Sequence, residues 1–179
     1  MQISAKIDRM SITQELLKKY LQYDPETGLF TWIGSYDQNH KRIGTVAGCV
    51  SKTTKRNLKY AHIQIFGNKY PAHRLAFLYM NGKFPDLYID HINHDGTDNR
   101  WCNLREVTNS DNHKNTPKFS NNSSGATGVH FKKSAGMWEA KIKSNYKQFH
   151  LGYFKNFDDA VLARKSAEKQ HGFHENHGI

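Results

Sequence analysis

Residues 116–128, TPKFSNNSSGATG, constrain this chain more than any other stretch. Proline removes a backbone donor, and the Ser, Asn and Gly cluster favours turns and flexible connections. Length alone allows one domain or two small ones, and with this segment read as a linker the 179 residues are expected to fold as two small pieces. The boundaries expected are a first domain at 1–116 with its central motif at 87–116, a linker at 117–127 and a second domain at 128–179. Aromatic residues make up 12% of the chain, enough apolar bulk to offset ordering entropy, so neither piece reads as a disordered tail.

Lys and Arg total 26 against 16 Asp and Glu, a formal charge of +10, with eleven histidines besides. Cutting after Thr116 leaves 16 basic and 11 acidic residues before the cut and 10 and 5 after it, so each half carries +5. Within the halves the signs separate. Lys41, Arg42, Lys52, Lys55, Arg56 and Lys59 stand together without an acid, and residues 118–155 hold seven lysines against Glu139 alone. The acids gather around 86–111. Two basic arms about an acidic, histidine-rich centre point to a chain that grips phosphates and acts on one of them. The longest apolar run, Leu75–Met80, is far below the roughly 18 residues of a membrane span. The N-terminal MQISAKIDRM has no apolar leader, and Cys49 and Cys102 have no CxxC neighbour. The expectation is a cytoplasmic protein in a reducing compartment, with no membrane partner.

Ser11-Ile12-Thr13-Gln14 reads as a capping box ahead of a helical stripe at Ile12, Leu16, Leu17, Tyr20 and Leu21. Asp24-Pro25-Glu26-Thr27-Gly28 is a turn leading to a strand near Leu29–Trp32, and 33–57 reads as a basic loop with one weak strand near Thr45–Val50. Alternation over 58–66 predicts a strand, with Gly67-Asn68 turning into Lys69–Pro71. Ala72–Asn81 reads as a helix stopped by Gly82. Leu87–Ile92 and Leu104–Val107 read as strands, and Thr108 opens a short helix that Pro117 must end. Past the linker, Val129–Lys133, Trp138–Ser144 and Gln148–Phe154 read as three strands. A helix N-capped by Asn156 follows, with Phe157, Ala160, Val161 and Ala167 on its apolar face.

Chemistry concentrates at Asp90-His91, Asn103 and Asn112. A hard divalent cation accepts oxygen ligands and keeps several waters, so Asp90 and the amide oxygen of Asn112 suffice if a substrate phosphate supplies the rest. His91 can then take a proton from water, and Asn103 can hold its ring. YIDHINHDGTDNRWCNLREVTNSDNHKN resembles the HNH nuclease motif, a ββα-metal unit, in the form found in phage and intron homing endonucleases. The intervals of 12 residues from His91 to Asn103 and 9 from Asn103 to Asn112 agree with it, and LKKYLQYDPETGLFTW and YPAHRLAFLYMNGKFP resemble the segments upstream. The resemblance implies Asp90 and Asn112 as ligands of one divalent metal ion (Mg²⁺ first, Mn²⁺ as the alternative), His91 as general base and Asn103 as the residue orienting it. His94 stands where many relatives have Gly, and the flanking CxxC pairs of some relatives are missing. His73-Arg74 reads as packing or phosphate contact. His171, His174 and His177, spaced by three, read as a solvated tail rather than a metal site.

The second half, through TGV, WEAKI, LGYF and the DDAVLA helix, resembles the plant ethylene-response-factor (Apetala-type) DNA-binding domain. That likeness implies a three-stranded sheet whose open face reads the major groove of double-stranded DNA, with Thr127, His130, Lys132, Lys141, Lys143, Gln148 and His150 at the contacting positions. Alternation puts Trp138, Ala140 and Ile142 beneath the helix and Glu139, Lys141 and Lys143 on the opposite face. Most arginines of the plant domains are replaced here by Lys, His and Gln, which weakens bidentate guanine reading. Lys52, Lys55 and Arg56 are expected to clamp the DNA backbone.

Together these readings give an α+β chain: a ββα-metal unit with an N-terminal extension, joined to a three-stranded antiparallel sheet with one helix. The activity expected is that of a metal-dependent, site-specific homing endonuclease, working in the host cytoplasm if phage-encoded. The alternative is a sequence-specific DNA-binding regulator with a vestigial nuclease unit. A monomer is the favoured state, although nothing in the sequence fixes it.

Overall fold

A computed structural model describes residues 12–36, 40–52 and 59–179. Ser11, Lys55 and Arg56 lie outside the described residues. The architecture is α+β, and the chain divides into two compact units, Met1–Glu106 and Val107–Ile179.

In the first unit, helix α1 (Gln14–Tyr20) is capped by Thr13, whose hydroxyl accepts from Leu16 N at 3.2 Å. The observed cap is therefore Thr13, two residues beyond the start of the expected box. Leu21 continues the helical stripe but opens strand β1 (Leu21–Tyr23), which pairs antiparallel with β2 (Phe30–Trp32). The DPETG turn joins these two strands. A second sheet has the order β3–β4–β5, from Cys49–Lys52, Lys59–Ile65 and Asn68–Pro71. The weak strand expected near 45–50 thus forms slightly later. The β4–β5 turn sits at Phe66-Gly67, both at positive φ (52° and 75°), because Ile65 pairs with Asn68. That is one residue earlier than Gly67-Asn68.

Helix α2 (Ala72–Asn81) follows Pro71 directly and ends at Gly82, at φ 80°, whose N–H returns to Leu78 O. Its Leu75, Ala76, Phe77 and Leu78 are buried with Leu17, Leu21, Phe30, Trp32, Ile63 and Ile65 in one core. Each fully buried aliphatic side chain there contributes about 1.5–3 kcal/mol. Strands β6 (Tyr88–His91) and β7 (Leu104–Val107) form a separate two-stranded ribbon.

The second unit begins with helix α3 (Asn109–His113), capped by Thr108 accepting from Asp111 N. Its sheet has the order β10–β9–β8, from Lys147–Phe154, Met137–Ser144 and Val129–Lys132, covered on one face by helix α4 (Phe157–Gln170). Val129, Ala140 and Ala160 are buried there, with Trp138, Leu151, Phe154, Phe157 and Val161 packed on them. Asn156 precedes α4 without a side-chain cap bond; its amide instead donates to Asp159.

Residues 117–127, read from sequence as a linker, carry hydrogen bonds inside this unit. Ser124 Oγ donates to Val129 O at 2.6 Å, and Lys118 N donates to Ile179 O. The C-terminal histidines are not a solvated tail. His177 is buried, its Nε2 3.2 Å from the guanidinium of Arg164, while His174 N and Gly178 N donate to Lys114 O and Thr116 O. The cause is Arg164 itself. Buried on α4, it needs acceptors on every side and finds them in Glu168, Lys141 O and His177.

Candidate active site

The β6–β7 ribbon carries the first cluster. Asp90 and His91, last on β6, are both buried although they are polar. Arg105 on β7 answers the carboxylate, placing Nε at 2.9 Å and Nη2 at 2.7 Å from Asp90 Oδ2. The His91 ring stands edge-on to His73 of α2, with centroids 5.1 Å apart, and 6.0 Å from Tyr60 of β4. Its Nε2 lies 3.3 Å from Oδ1 of Asn99, a residue 3% exposed. Burial lowers the pKa of His91, and the Asn99 hydrogen bond and the charges of Asp90, Asp95 and Asp98 only partly offset it. His73 is held lower still, at about 3, first by burial and then by the neighbouring charges of His91, Arg74 and His62. Both rings are therefore neutral near pH 7, and a neutral imidazole can accept a proton.

The loop between the strands is built from turn chemistry. Asn93 Oδ1 accepts from Asp95 N, Asp95 Oδ1 accepts from Thr97 N and Oγ1, and Asp98 takes both a backbone and a guanidinium bond from Arg100. Asn103 ties this loop together. Its Oδ1 accepts from Asn93 N, and its Nδ2 donates to Asn93 Oδ1 and Asp98 O. Its side chain is thus spent on the loop, and the amide on the His91 ring belongs to Asn99. His94 adopts φ 65°, the left-handed conformation that a glycine enters at no steric cost.

Asn112 lies on α3, in the second unit, half-buried, with its backbone N–H bonded to Thr108 O. Among the described residues no group of three or more His, Cys, Asp or Glu is placed to hold a metal. A hard cation does not need such a group, because water and substrate phosphate fill most of its octahedron. Asp90 fits that role as a single buried carboxylate, shared with Arg105.

The second cluster is the open face of the β8–β9–β10 sheet. The register sets His130 opposite Glu139, Lys141 opposite His150 and Lys143 opposite Gln148. Lys132 reaches across to the Tyr153 hydroxyl at 2.8 Å. Six of the seven positions expected to contact DNA therefore share one face. Thr127 does not join them: its hydroxyl is buried and without a hydrogen-bond partner among the described residues, in a spot closed by Gly178. Lys52 ends β3 and is exposed.

Glu139, 4% exposed, lies at the centre of this face. Its Oε2 is 2.9 Å from His130 and 3.1 Å from Lys141, and its Oε1 is 3.1 Å from His150. Burial alone would raise its pKa, but the Lys141 hydrogen bond and the charges of Lys132, Lys141 and His130 outweigh that and hold it low.

Sequence reasoning missed Asn99, Arg105 and Tyr60 as neighbours of Asp90 and His91. Spacing gave no signal for Tyr60, which arrives from another sheet. Asn99 and Arg105 stand inside the motif and were legible as polar residues on a short ribbon.

No curated protein and no solved structure matches the chain. Residues 70–114, from β5 through α3, match the family model described as HNH endonuclease. The ribbon bearing Asp90 and His91 lies within the stretch that matches this family.

Proposed function

We propose that the protein is a metal-dependent endonuclease that hydrolyses phosphodiester bonds of double-stranded DNA at chosen sites, an enzyme of phage homing type. The observation that carries this reading is the buried, neutral His91 beside the buried carboxylate of Asp90, within the stretch that matches the nuclease family. Asp90 would hold the divalent cation, Mg²⁺ first and Mn²⁺ as the alternative. The sequence resemblance alone implies Asn112 as a second ligand, which would offer its amide oxygen. Bound there, the cation supplies Lewis-acid stabilisation of the charge that builds on the phosphate and on the departing oxygen.

The remaining work falls to the chain. His91 takes a proton from the attacking water as its oxygen bonds to phosphorus, the P–O3′ bond breaks, and the 3′ oxygen is protonated from solvent. The products are a 5′-phosphate and a 3′-hydroxyl. The open face of the second sheet, with Lys132, Lys141, Lys143, Gln148, His130 and His150, supports binding of the duplex, and Lys52, Lys55 and Arg56 would add phosphate contacts. Domains at 1–116 and 128–179 remain the proposed functional division.

One observation favours the second reading, a DNA-binding regulator with a vestigial nuclease unit: Arg105 already engages the Asp90 carboxylate from two nitrogens. A single assay decides between the two. Supercoiled DNA is incubated with the wild-type protein in Mg²⁺ and in EDTA, and with His91→Ala in Mg²⁺. The endonuclease reading expects nicking only by wild type with Mg²⁺. Intact DNA in every tube, together with tight duplex binding, is the regulator's signature.

A further inference from the structure

The Asp24–Gly28 turn lies outside the stretch that matches the nuclease family, yet it is bonded to the loop beside His91. Tyr23 Oη donates to Asn99 O at 2.6 Å, and Trp101 N donates to Pro25 O at 2.9 Å. Tyr23 is buried, and its pKa is raised first by burial and then by Asp24, Cys102 and Asp98, so its hydroxyl keeps the proton it donates. Gly28, at φ 73°, lies so close to the Asn99–Arg100 peptide that a methyl group there would collide with it. The turn itself is tied by Glu26 N and Thr27 Oγ1 on the Asp24 carboxylate and by Gly28 N on Asp24 O. The backbone of Asn99 is thus held by groups about 75 residues away in sequence, one hydroxyl bond and one close approach.

The side chain of Asn99 has a fixed orientation as well. Its Nδ2 donates to Thr97 O at 3.1 Å, which leaves Oδ1 as the atom facing the His91 ring. An amide oxygen only accepts. The proton of a neutral His91 therefore belongs on Nε2, and the imidazole lone pair belongs on Nδ1. The reverse tautomer would set two lone pairs against each other in a buried site, at a cost comparable to an unmade hydrogen bond.

We propose that Asn99 is a positioning residue that fixes the His91 tautomer with Nε2 protonated and Nδ1 as the proton-accepting atom, and that the Tyr23–Gly28 turn is the brace that holds Asn99 in place. The role in catalysis rests on His91 being the general base; the tautomer assignment does not. A residue of this kind orients a ring and selects its basic nitrogen without touching substrate.

The test reads the ring directly. ¹⁵N-labelled, metal-free full-length protein is examined by long-range ¹H–¹⁵N correlation at mildly alkaline pH, where each nitrogen of His91 reports whether it carries a proton. Wild type is expected to show Nε2–H alone. Asn99→Asp keeps an acceptor and should hold that tautomer, whereas Asn99→Ala should show a mixture or Nδ1–H. In nicking assays Asn99→Ala should lose about 10–100-fold in kcat with KM unchanged, and Asn99→Asp should recover part of it. Tyr23→Phe, which removes only the brace hydroxyl, should loosen the tautomer without unfolding the unit, and it substitutes for Asn99→Ala if that variant does not fold. An Nδ1–H wild type, or a pure Nε2–H spectrum in both Asn99→Ala and Tyr23→Phe, overturns the proposal. A wild type with the expected tautomer but no nuclease activity with any divalent metal would remove the nuclease reading and leave the tautomer assignment standing.

Discussion

Gly28 and Gly67 make a matched pair for testing whether the turn presses on the loop as the structure has it. Their backbones are nearly identical, at φ 73° and 75°, so alanine at either position pays the same left-handed penalty of about 1–2 kcal/mol. Their surroundings differ completely. A Cβ on Gly67 meets nothing within 4 Å, whereas one on Gly28 runs into Arg100 N, Asn99 C and Asn99 O. All three are backbone atoms that cannot swing aside as a side chain would. Forcing them apart adds about 1–3 kcal/mol, the usual range for overpacking. Gly28→Ala should therefore destabilise by about 2–5 kcal/mol and Gly67→Ala by about 1–2 kcal/mol. With about 4–8 °C lost per kcal/mol in a domain of this size, the two melting points should differ by at least about 4 °C. Urea titration followed by tryptophan fluorescence suits the experiment, because Trp101 follows the displaced peptide directly and Trp32 is buried in the same unit's core. The activity of Gly28→Ala should also fall further than its stability explains, since the collision is with the peptide of Asn99. Equal destabilisation of the two variants, within about 0.5 kcal/mol, would refute the close approach and with it the brace.

Acid should weaken the first unit through His73. Its folded pKa of about 3 lies below the usual histidine value of about 6.5, so its stabilisation is complete above that value and is lost as pH falls towards the folded pKa, at up to about 1.4 kcal/mol per unit. Melting curves from neutral pH downward should therefore be flatter for His73→Phe than for wild type, and parallel curves would count against the burial that depresses it. Glu139→Gln should release Lys141, His130 and His150 to an incoming phosphate, steepening the log–log salt dependence of duplex binding by about 0.9 per phosphate gained. Weaker binding with an unchanged slope would mean that the carboxylate orders the face rather than masks it.

Where side-chain period and burial agreed, the sequence was enough. The apolar run of α2 bracketed by Pro71 and Gly82, and the alternation of β4 and β9, could be read directly and stand where expected. Leu21 shows where period fails. It sits four residues beyond Leu17, both are fully buried, and a helix would account for that spacing; pairing with Trp32 makes it a strand instead. The end of β10 shows a second limit. Strict alternation from His150 would carry Gly152 and Phe154 on to the open face. A register shift between His150 and Gly152 reverses the parity, setting Tyr153 against Glu139 and Phe154 against Trp138 beneath α4. Gly152, at φ 138°, is the only signal of that bulge in the sequence, and a glycine alone does not say which way the strand turns.

Position in the sequence did not fix the direction of the side chains around His91. Asn99 and Asn103 lie four residues apart in one polar loop, and the family resemblance implied Asn103 as the residue orienting the histidine; in the structure Asn99 bonds the His91 ring and Asn103 clasps the loop. Charge counting meets the same limit. Over residues 118–155 Glu139 enters the sum as one acid subtracted from seven lysines. In the folded sheet it is buried among three of the very side chains that were expected to meet DNA, and among the described residues of β8, β9 and β10 no other acid competes for them. A single carboxylate so placed sets the orientation of Lys141, His130 and His150 before any phosphate arrives. That face is therefore preorganised around a negative centre, and under the proposed function its affinity for a duplex would depend on how readily Glu139 gives those side chains up.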